Sequence, residues 1–196
     1  MDVIKTGILI RELRQAQGLT QKQLADMINV SDKAVSKWEC GGGCPDISLI
    51  IRLAEVLKTD EATLLSGERE INESEKGNMK RVRFYVCPGC GNIITSSGDA
   101  SVSCCGSRLT PLDAKPAEQP QRLDVQETDG ELYITSSHEM TKDCHIAFVA
   151  FVNESTLIMA RQYPEWSLQA RLPLYRYGRL VWYSTIDGLL YQDIGK

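Results

Sequence analysis

The chain has 196 residues, 42% of them hydrophobic and 24% charged, an ordinary globular composition that excludes wholesale disorder and leaves room for one large domain or two to three small ones. A formal net charge of −4 excludes a protein that coats nucleic acid by bulk charge, so any hold on DNA must come from a local patch. No run approaches the roughly 18–20 apolar residues that span a bilayer, and the first residues lack the pattern of a secretion signal, so no membrane partner is expected and the expected location is the cytoplasm.

The first segment, residues 1–66, reads as helix throughout. Apolar residues recur at helical spacing: Ile10 and Leu13, then Leu24, Ala25 and Ile28, then Leu49, Leu53, Ala54 and Leu57, then Leu64 and Leu65. Thr20 and Ser31 are good N-caps, and Asp46 is placed to cap another helix after Gly41-Gly42-Gly43 and Pro45. Between Thr20 and Glu39 the order TQKQLADMINVSDKAVSKWE predicts a helix over Gln21–Met27, a turn at Ile28–Val30 and a second helix over Asp32–Glu39. Asn29 tolerates the left-handed conformation that such a turn requires. Val35 and Trp38 would face inward, and Asp32, Lys33, Ser36 and Lys37 outward.

These residues resemble the Cro/repressor-like (XRE-type) helix-turn-helix family over roughly residues 6–66, with LTQKQLA, VSDKAVSKWE, PDISLIIRLAEVL and the LL ending in matching order. The resemblance implies double-stranded DNA as partner, with Gln21 at the phosphate backbone and Asp32, Lys33, Ser36 and Lys37 toward the major groove. The candidate DNA-binding residues are Gln21, Lys22, Ser31, Asp32, Lys33, Ser36 and Lys37. Up to Pro45 there are six basic against five acidic side chains, so one unit alone should bind modestly and a homodimer on a two-fold site is expected. A helical protein-interaction domain would share the same pattern.

Residues 67–80 are polar and read as a linker. The next segment, 81–113, carries Cys87-Pro-Gly-Cys90 and Cys104-Cys105, four of the seven cysteines. Four thiolates in tetrahedral array suit one zinc or one iron ion, and a segment this short with few large apolar groups is expected to need the metal to fold. Two disulfides or free thiols are the other readings. The adjacent pair needs a twisted strand end, whereas the first pair forms a knuckle. FYVCPGCGNIITSSGDASVSCCGSRLTPL resembles desulforedoxin and the N-terminal domain of desulfoferrodoxin, which implies a small β domain with a rubredoxin-like ion.

Asp113–Gln121, with Pro116 and Pro120, reads as a second linker. Beyond it, Leu132–Ile134, His145–Val152, Thr156–Met159, Ser167–Leu172 and Leu180–Tyr183 read as strands. HEMTKDCHIAFVAFV (138–152) and LVWYSTIDGLLY (180–191) resemble the superoxide reductase domain of desulfoferrodoxin, which implies an immunoglobulin-like β sandwich over 114–196 and an iron held by four histidines and an axial cysteine. Position by position the ligands are missing. His138 matches the first histidine of its motif, the second falls on Cys144 with His145 one place later, the axial cysteine falls on Ser184 and the last histidine on Asp187. Gln121 or a neighbour stands where another histidine is needed. The whole chain holds two histidines, so no catalytic site is assigned. The expected whole is multidomain: an all-α helix-turn-helix domain, a small β four-cysteine metal domain and an all-β sandwich serving as sensor or oligomerisation part. The alternative is a superoxide reductase-like iron enzyme fused to a DNA-binding domain. Cys40 and Cys44 flank the glycine loop, with no basic neighbour evident to activate them.

Overall fold

The computed structural model describes residues 2–69 and 78–195, which divide into two compact units, one up to Ile71 and one from Asn72 onward. The first unit is five helices: α1 (Val3–Ala16), α2 (Gln21–Ile28), α3 (Asp32–Glu39), α4 (Ile47–Leu57) and α5 (Glu61–Ser66). Each starts where a side chain satisfies orphan N–H groups. Thr20 and Gln23 form a reciprocal capping box on α2, Ser31 Oγ accepts from the Ala34 amide, and Asp46 accepts from Ser48. Asn29 ends α2 in the left-handed conformation, φ 57° and ψ 49°, which turns the chain into α3. The apolar stripes close on one core of Ile10, Leu13, Leu24, Ile28, Val35, Trp38, Leu53, Leu57 and Leu64. α1 crosses α3 at Gly7, where any Cβ would lie 2.1 Å from the Trp38 carbonyl oxygen. Only glycine permits that approach.

Of the expected linker at 67–80, residues 70–77 lie outside the described residues. Gly67 is the left-handed C-cap of α5, and Met79–Arg81 is a single 3-10 turn whose Met79 amide donates to the Glu154 carbonyl.

The second unit begins with two short hairpins, β1 (Arg83–Val86) with β2 (Ile93–Ser96), and β3 (Val102–Cys104) with β4 (Ser107–Leu109). Then come β5 (Lys115–Pro116), β6 (Asp124–Thr128), β7 (Glu131–Thr135), β8 (Ile146–Val152), β9 (Leu157–Arg161), β10 (Gln169–Pro173), β11 (Gly178–Ser184) and β12 (Gly188–Ile194). They form a three-stranded sheet ordered β10-β7-β6 and a five-stranded sheet ordered β5-β12-β11-β8-β9. Leu132, Ile134, Val149, Phe151, Ala170, Leu172, Leu180 and Trp182 fill the space between the two sheets. The other face of the larger sheet is also covered. Phe148, Ala150, Val152, Val181 and Leu189 pack with Phe84 from β1, and the Phe84 and Phe148 rings stack 5.3 Å apart. Burial on both faces explains the unbroken apolar run IAFVAFV of β8.

Three strands of the sandwich, β5, β6 and β12, escaped the sequence. β6 is a solvent-facing strand with only Val125 half-buried, so no alternation marks it. Its signal is the two-residue Asp129-Gly130 turn, both residues at positive φ, the backbone of a type I′ hairpin. β12 pairs along its whole length with β11. The stretch expected as a second linker instead supplies β5, paired parallel with β12 through Lys115 and Pro116. A proline is tolerated there because the strand is at the sheet edge.

Candidate nucleic-acid interface and metal centre

α3 lays out the expected outer face. Ser31, Asp32, Lys33 and Lys37 are exposed, Ser36 is half-buried, and Val35 and Trp38 are buried beneath. Ser31 Oγ is used by its cap and Asp32 Oδ1 accepts from the Lys33 amide at 2.8 Å, so both brace the N-terminus of α3. Lys22 is exposed on α2. The stem of Lys37 runs along the glycine loop: Cβ atoms at Gly42 and Gly43 would sit 3.2 Å and 3.3 Å from it, and the Gly42 amide donates to the Lys37 carbonyl. The bare loop thus steers this lysine.

Gln21 is half-buried, and its amide nitrogen donates to Glu39 Oε2 at 2.8 Å. Glu39 also accepts both arms of Arg14, Nε to Oε1 at 2.6 Å and Nη2 to Oε2 at 2.9 Å. Their side chains are 2% and 10% exposed. Burial alone would raise the Glu39 carboxyl pKa, but hydrogen bonds from Arg14 and Gln21 outweigh it and hold the group below the usual glutamate range. Arg14 is held above its ordinary value by the hydrogen bond to Glu39, against burial. Arg14 Nη1 further donates to the Leu19 carbonyl. This network ties α1, the start of α2 and the end of α3 together. No sequence signal pointed to it, because its members are 18 and 25 residues from Glu39.

The four sulfurs of Cys87, Cys90, Cys104 and Cys105 all lie within 4.8 Å of one another. Cys90 and Cys104 sulfurs are 3.6 Å apart, and Cys104 and Cys105 are 4.0 Å apart. Sulfurs bound tetrahedrally at about 2.3 Å from an ion stand about 3.8 Å from each other, so the spacing fits one ion. Among the described residues the seven cysteines form no disulfide. Cys87 and Cys90 close a knuckle in which the Gly91 amide donates to the Cys87 carbonyl and the Cys87 amide to Asn92. The adjacent pair sits not at a twisted strand end but at a hairpin turn. Cys104 ends β3, while Cys105 and Gly106 take φ 50° and 76°. That type I′ geometry swings two neighbouring sulfurs to one side. Backbone amides of Cys90 and Gly89 point at the buried Cys87 sulfur and hold its thiol down at about 7, against burial. Crowding by the sulfurs of Cys90, Cys87 and Cys104 pushes Cys105 up to about 12. One thiolate therefore forms readily and the last resists, an opposition that a cation among them removes.

At one end of the sandwich the positions matched to iron ligands come together as a hydrogen-bonded cluster. His138 Nδ1 lies 2.7 Å from the Glu139 carbonyl, and its Nε2 is 3.3 Å from Ser184 Oγ and 3.9 Å from Cys144 Sγ. Ser184 is fully buried. Its oxygen accepts from the amides of Ile186 and Asp187 and donates to Asp187 Oδ2, whose other oxygen accepts from Gln121 Nε2 at 2.8 Å. His145 is outside the cluster, and its Nδ1 is buried without a partner. Among the described residues, the four cysteines are the one group of three or more His, Cys, Asp or Glu close enough to share an ion. Among the same residues, no helix is long and apolar enough to cross a membrane.

Residues 10–64 match the family model described as Helix-turn-helix, and the first unit is a helix-turn-helix domain. The chain is 35% identical over 80 residues to the HTH-type transcriptional activator BcrR of Enterococcus faecalis, covering 39% of this chain. It is 30% identical over 128 residues, 56% of this chain, to an HTH-type transcriptional regulatory protein of Pyrococcus furiosus. The match spans 39% of the length of each of these relatives. Among solved structures, the superoxide reductase from Treponema pallidum aligns at TM-score 0.49 with 14% identity, over 57% of this chain and 97% of that one.

Proposed function

We propose that this chain is a sequence-specific transcriptional regulator that binds double-stranded DNA as a homodimer. The observation that carries the reading is α3 with Asp32, Lys33, Ser36 and Lys37 on its open face, capped by Ser31 and seated on a buried core, within a stretch that matches the Helix-turn-helix family. Lys33, Ser36 and Lys37 reach base edges or phosphates, and Lys22 with Gln21 meets the backbone beside them. Gln21 Nε2 gives one N–H to Glu39, and its second N–H is the donor that can meet a phosphate, so the Glu39 contact orients it toward the backbone.

Lys37→Ala and Ser36→Ala are each expected to weaken binding to a selected operator by about 1–3 kcal/mol if they contact bases. Fluorescence anisotropy on operator and scrambled duplexes measures this, and binding by the wild type should fall steeply as salt rises. A wild-type chain that ignores duplex DNA at low salt would make the helical unit a protein-binding domain.

In this reading Cys87, Cys90, Cys104 and Cys105 hold one zinc or iron ion. The ion supplies cross-linking of the two small hairpins, and the sandwich serves as a sensor or oligomerisation part without catalysis. The support is chemical: four imidazoles cannot come from a chain with two histidines, and Ser184 offers a hydroxyl already engaged with Asp187. The purified chain loaded with iron is expected to remove superoxide no faster than an equal amount of free iron. Catalytic reduction tracking a second iron per chain would instead support the enzyme reading.

A further inference from the structure

A cavity of about 380 Å³ opens on the face of the larger sheet that β1 covers, within the size range of sites for small organic ligands. Its walls are apolar: Phe84 from β1, Val152 from β8, Val181 from β11 and Leu189 from β12. None of the four cysteines, and no member of the His138–Ser184 cluster, lines it. Its charged groups are Lys80, Arg179 and Asp193. Arg179 Nε binds Asp193 Oδ1 at 2.9 Å, and its guanidinium lies 3.9 Å over the Tyr191 ring, so this pair is locally neutral. Lys80 is left as the net charge of the lining. Its partner Glu154, at 2.8 Å, lies outside the cavity, and both side chains are more than half exposed. Such a surface pair exchanges its partner at little cost.

We propose that this cavity binds a small amphipathic monoanion, with an apolar chain or fused ring against Phe84, Val152, Val181 and Leu189 and a carboxylate or sulfonate head at Lys80. The site is independent of DNA binding and of the four-cysteine ion. Its placement gives it leverage. Lys80 and Phe84 lie where the chain enters the second unit and runs on through β1 into Cys87, so an occupant braces the strand that leads into the four-cysteine knuckle.

The full chain is titrated with the fluorescent anion anilinonaphthalenesulfonate, which is then displaced with decanoate and, separately, with decanol. One saturable probe site per chain is expected, with decanoate displacing the probe at least about three-fold more effectively than decanol, a preference set by the charge pair. A purely apolar cavity would prefer the alcohol, since desolvating a carboxylate costs more. Ala114 is exposed at the rim, so Ala114→Trp should occlude the cavity and abolish probe binding with the circular dichroism unchanged. Lys80→Ala should weaken but not abolish probe binding, because the sulfonate loses its partner while the apolar walls remain, and should lose the preference for decanoate. The proposal is overturned by absence of a saturable site, by probe binding that survives Ala114→Trp, or by a decanoate preference that survives Lys80→Ala.

Discussion

Replacing Cys87 with serine is expected to cost the second unit its metal and to open both small hairpins, while the helical unit unfolds as in the wild type. Cys87 is the buried member of the cluster, 2% exposed, and the one whose thiolate the knuckle amides favour most. Serine keeps the shape but not the soft sulfur, and its hydroxyl stays protonated at neutral pH. Structural zinc sites contribute on the order of 10–16 kcal/mol in total, so the loss of one of four ligands should reduce affinity by orders of magnitude. The hairpins have little else to hold them: Tyr85, Cys87 and Leu109 make up the buried part of their own core. β1 should stay docked regardless, because Phe84 is buried against Phe148 in the sandwich side of the unit. The damage should therefore be confined to roughly residues 87–109. Elemental analysis counts the ion and limited proteolysis locates the opened segment; Cys104→Ser should behave alike. A visible absorption band in the wild type would identify ferric iron, since zinc is colourless. Mutants that retain one ion per chain at wild-type affinity would mean that other residues hold the metal. Acidification should mimic the mutation, because protons displace the ion as pH falls and the thiolates are titrated.

The second large effect is expected in the helical unit. Glu39→Ala leaves Arg14 buried without its counter-charge, and breaking such a pair costs about 3–5 kcal/mol. That is a large share of the roughly 5–15 kcal/mol by which a domain is stable. Described helices of more than one turn all lie in the first unit, so helical circular dichroism during denaturant unfolding reports on it selectively. The pH dependence has a defined sign. Glu39 is held below the usual glutamate range in the folded chain, so the pair's contribution is full above about pH 4.3, the ordinary glutamate value, and is lost as pH falls through the lower folded value. Glu39→Gln should keep the shape while removing that acid dependence. Operator binding should weaken in the alanine variant even at temperatures where it stays folded, because Gln21 loses its anchor. A Glu39→Ala variant within about 0.5 kcal/mol of wild type, the range of ordinary surface substitutions, would show that the pair is not the tie that its burial implies.

The helix-turn-helix was legible because its information is local. Caps at Thr20, Ser31 and Asp46 act over two or three residues, Asn29 sets its own backbone, and the stripe that buries Val35 and Trp38 repeats within one helix. The four cysteines were legible as a group because few other arrangements place so many thiols in thirty residues. The turn that presents Cys104 and Cys105 was not, since an adjacent pair does not announce which backbone will carry it. β6 was hidden for another reason: an exposed strand has no apolar alternation to display.

By itself, then, the sequence determined the helical stripes, the caps at Thr20, Ser31 and Asp46, the direction of the α3 face, the presence of a four-sulfur cluster and the shortage of histidines. Each of these depends on residue identity or on spacing shorter than a turn or a hairpin. Tertiary structure alone decided that Arg14 and Gln21 meet on Glu39, that Lys37 lies along Gly42 and Gly43, that Phe84 closes the outer face of the larger sheet, and that Gln121, Asp187, Ser184 and His138 satisfy one another at one end of the sandwich. The physical reason is that these contacts join side chains from separate elements. Buried polar groups must find partners, but which partner is within reach is settled only when the sheets and helices have packed.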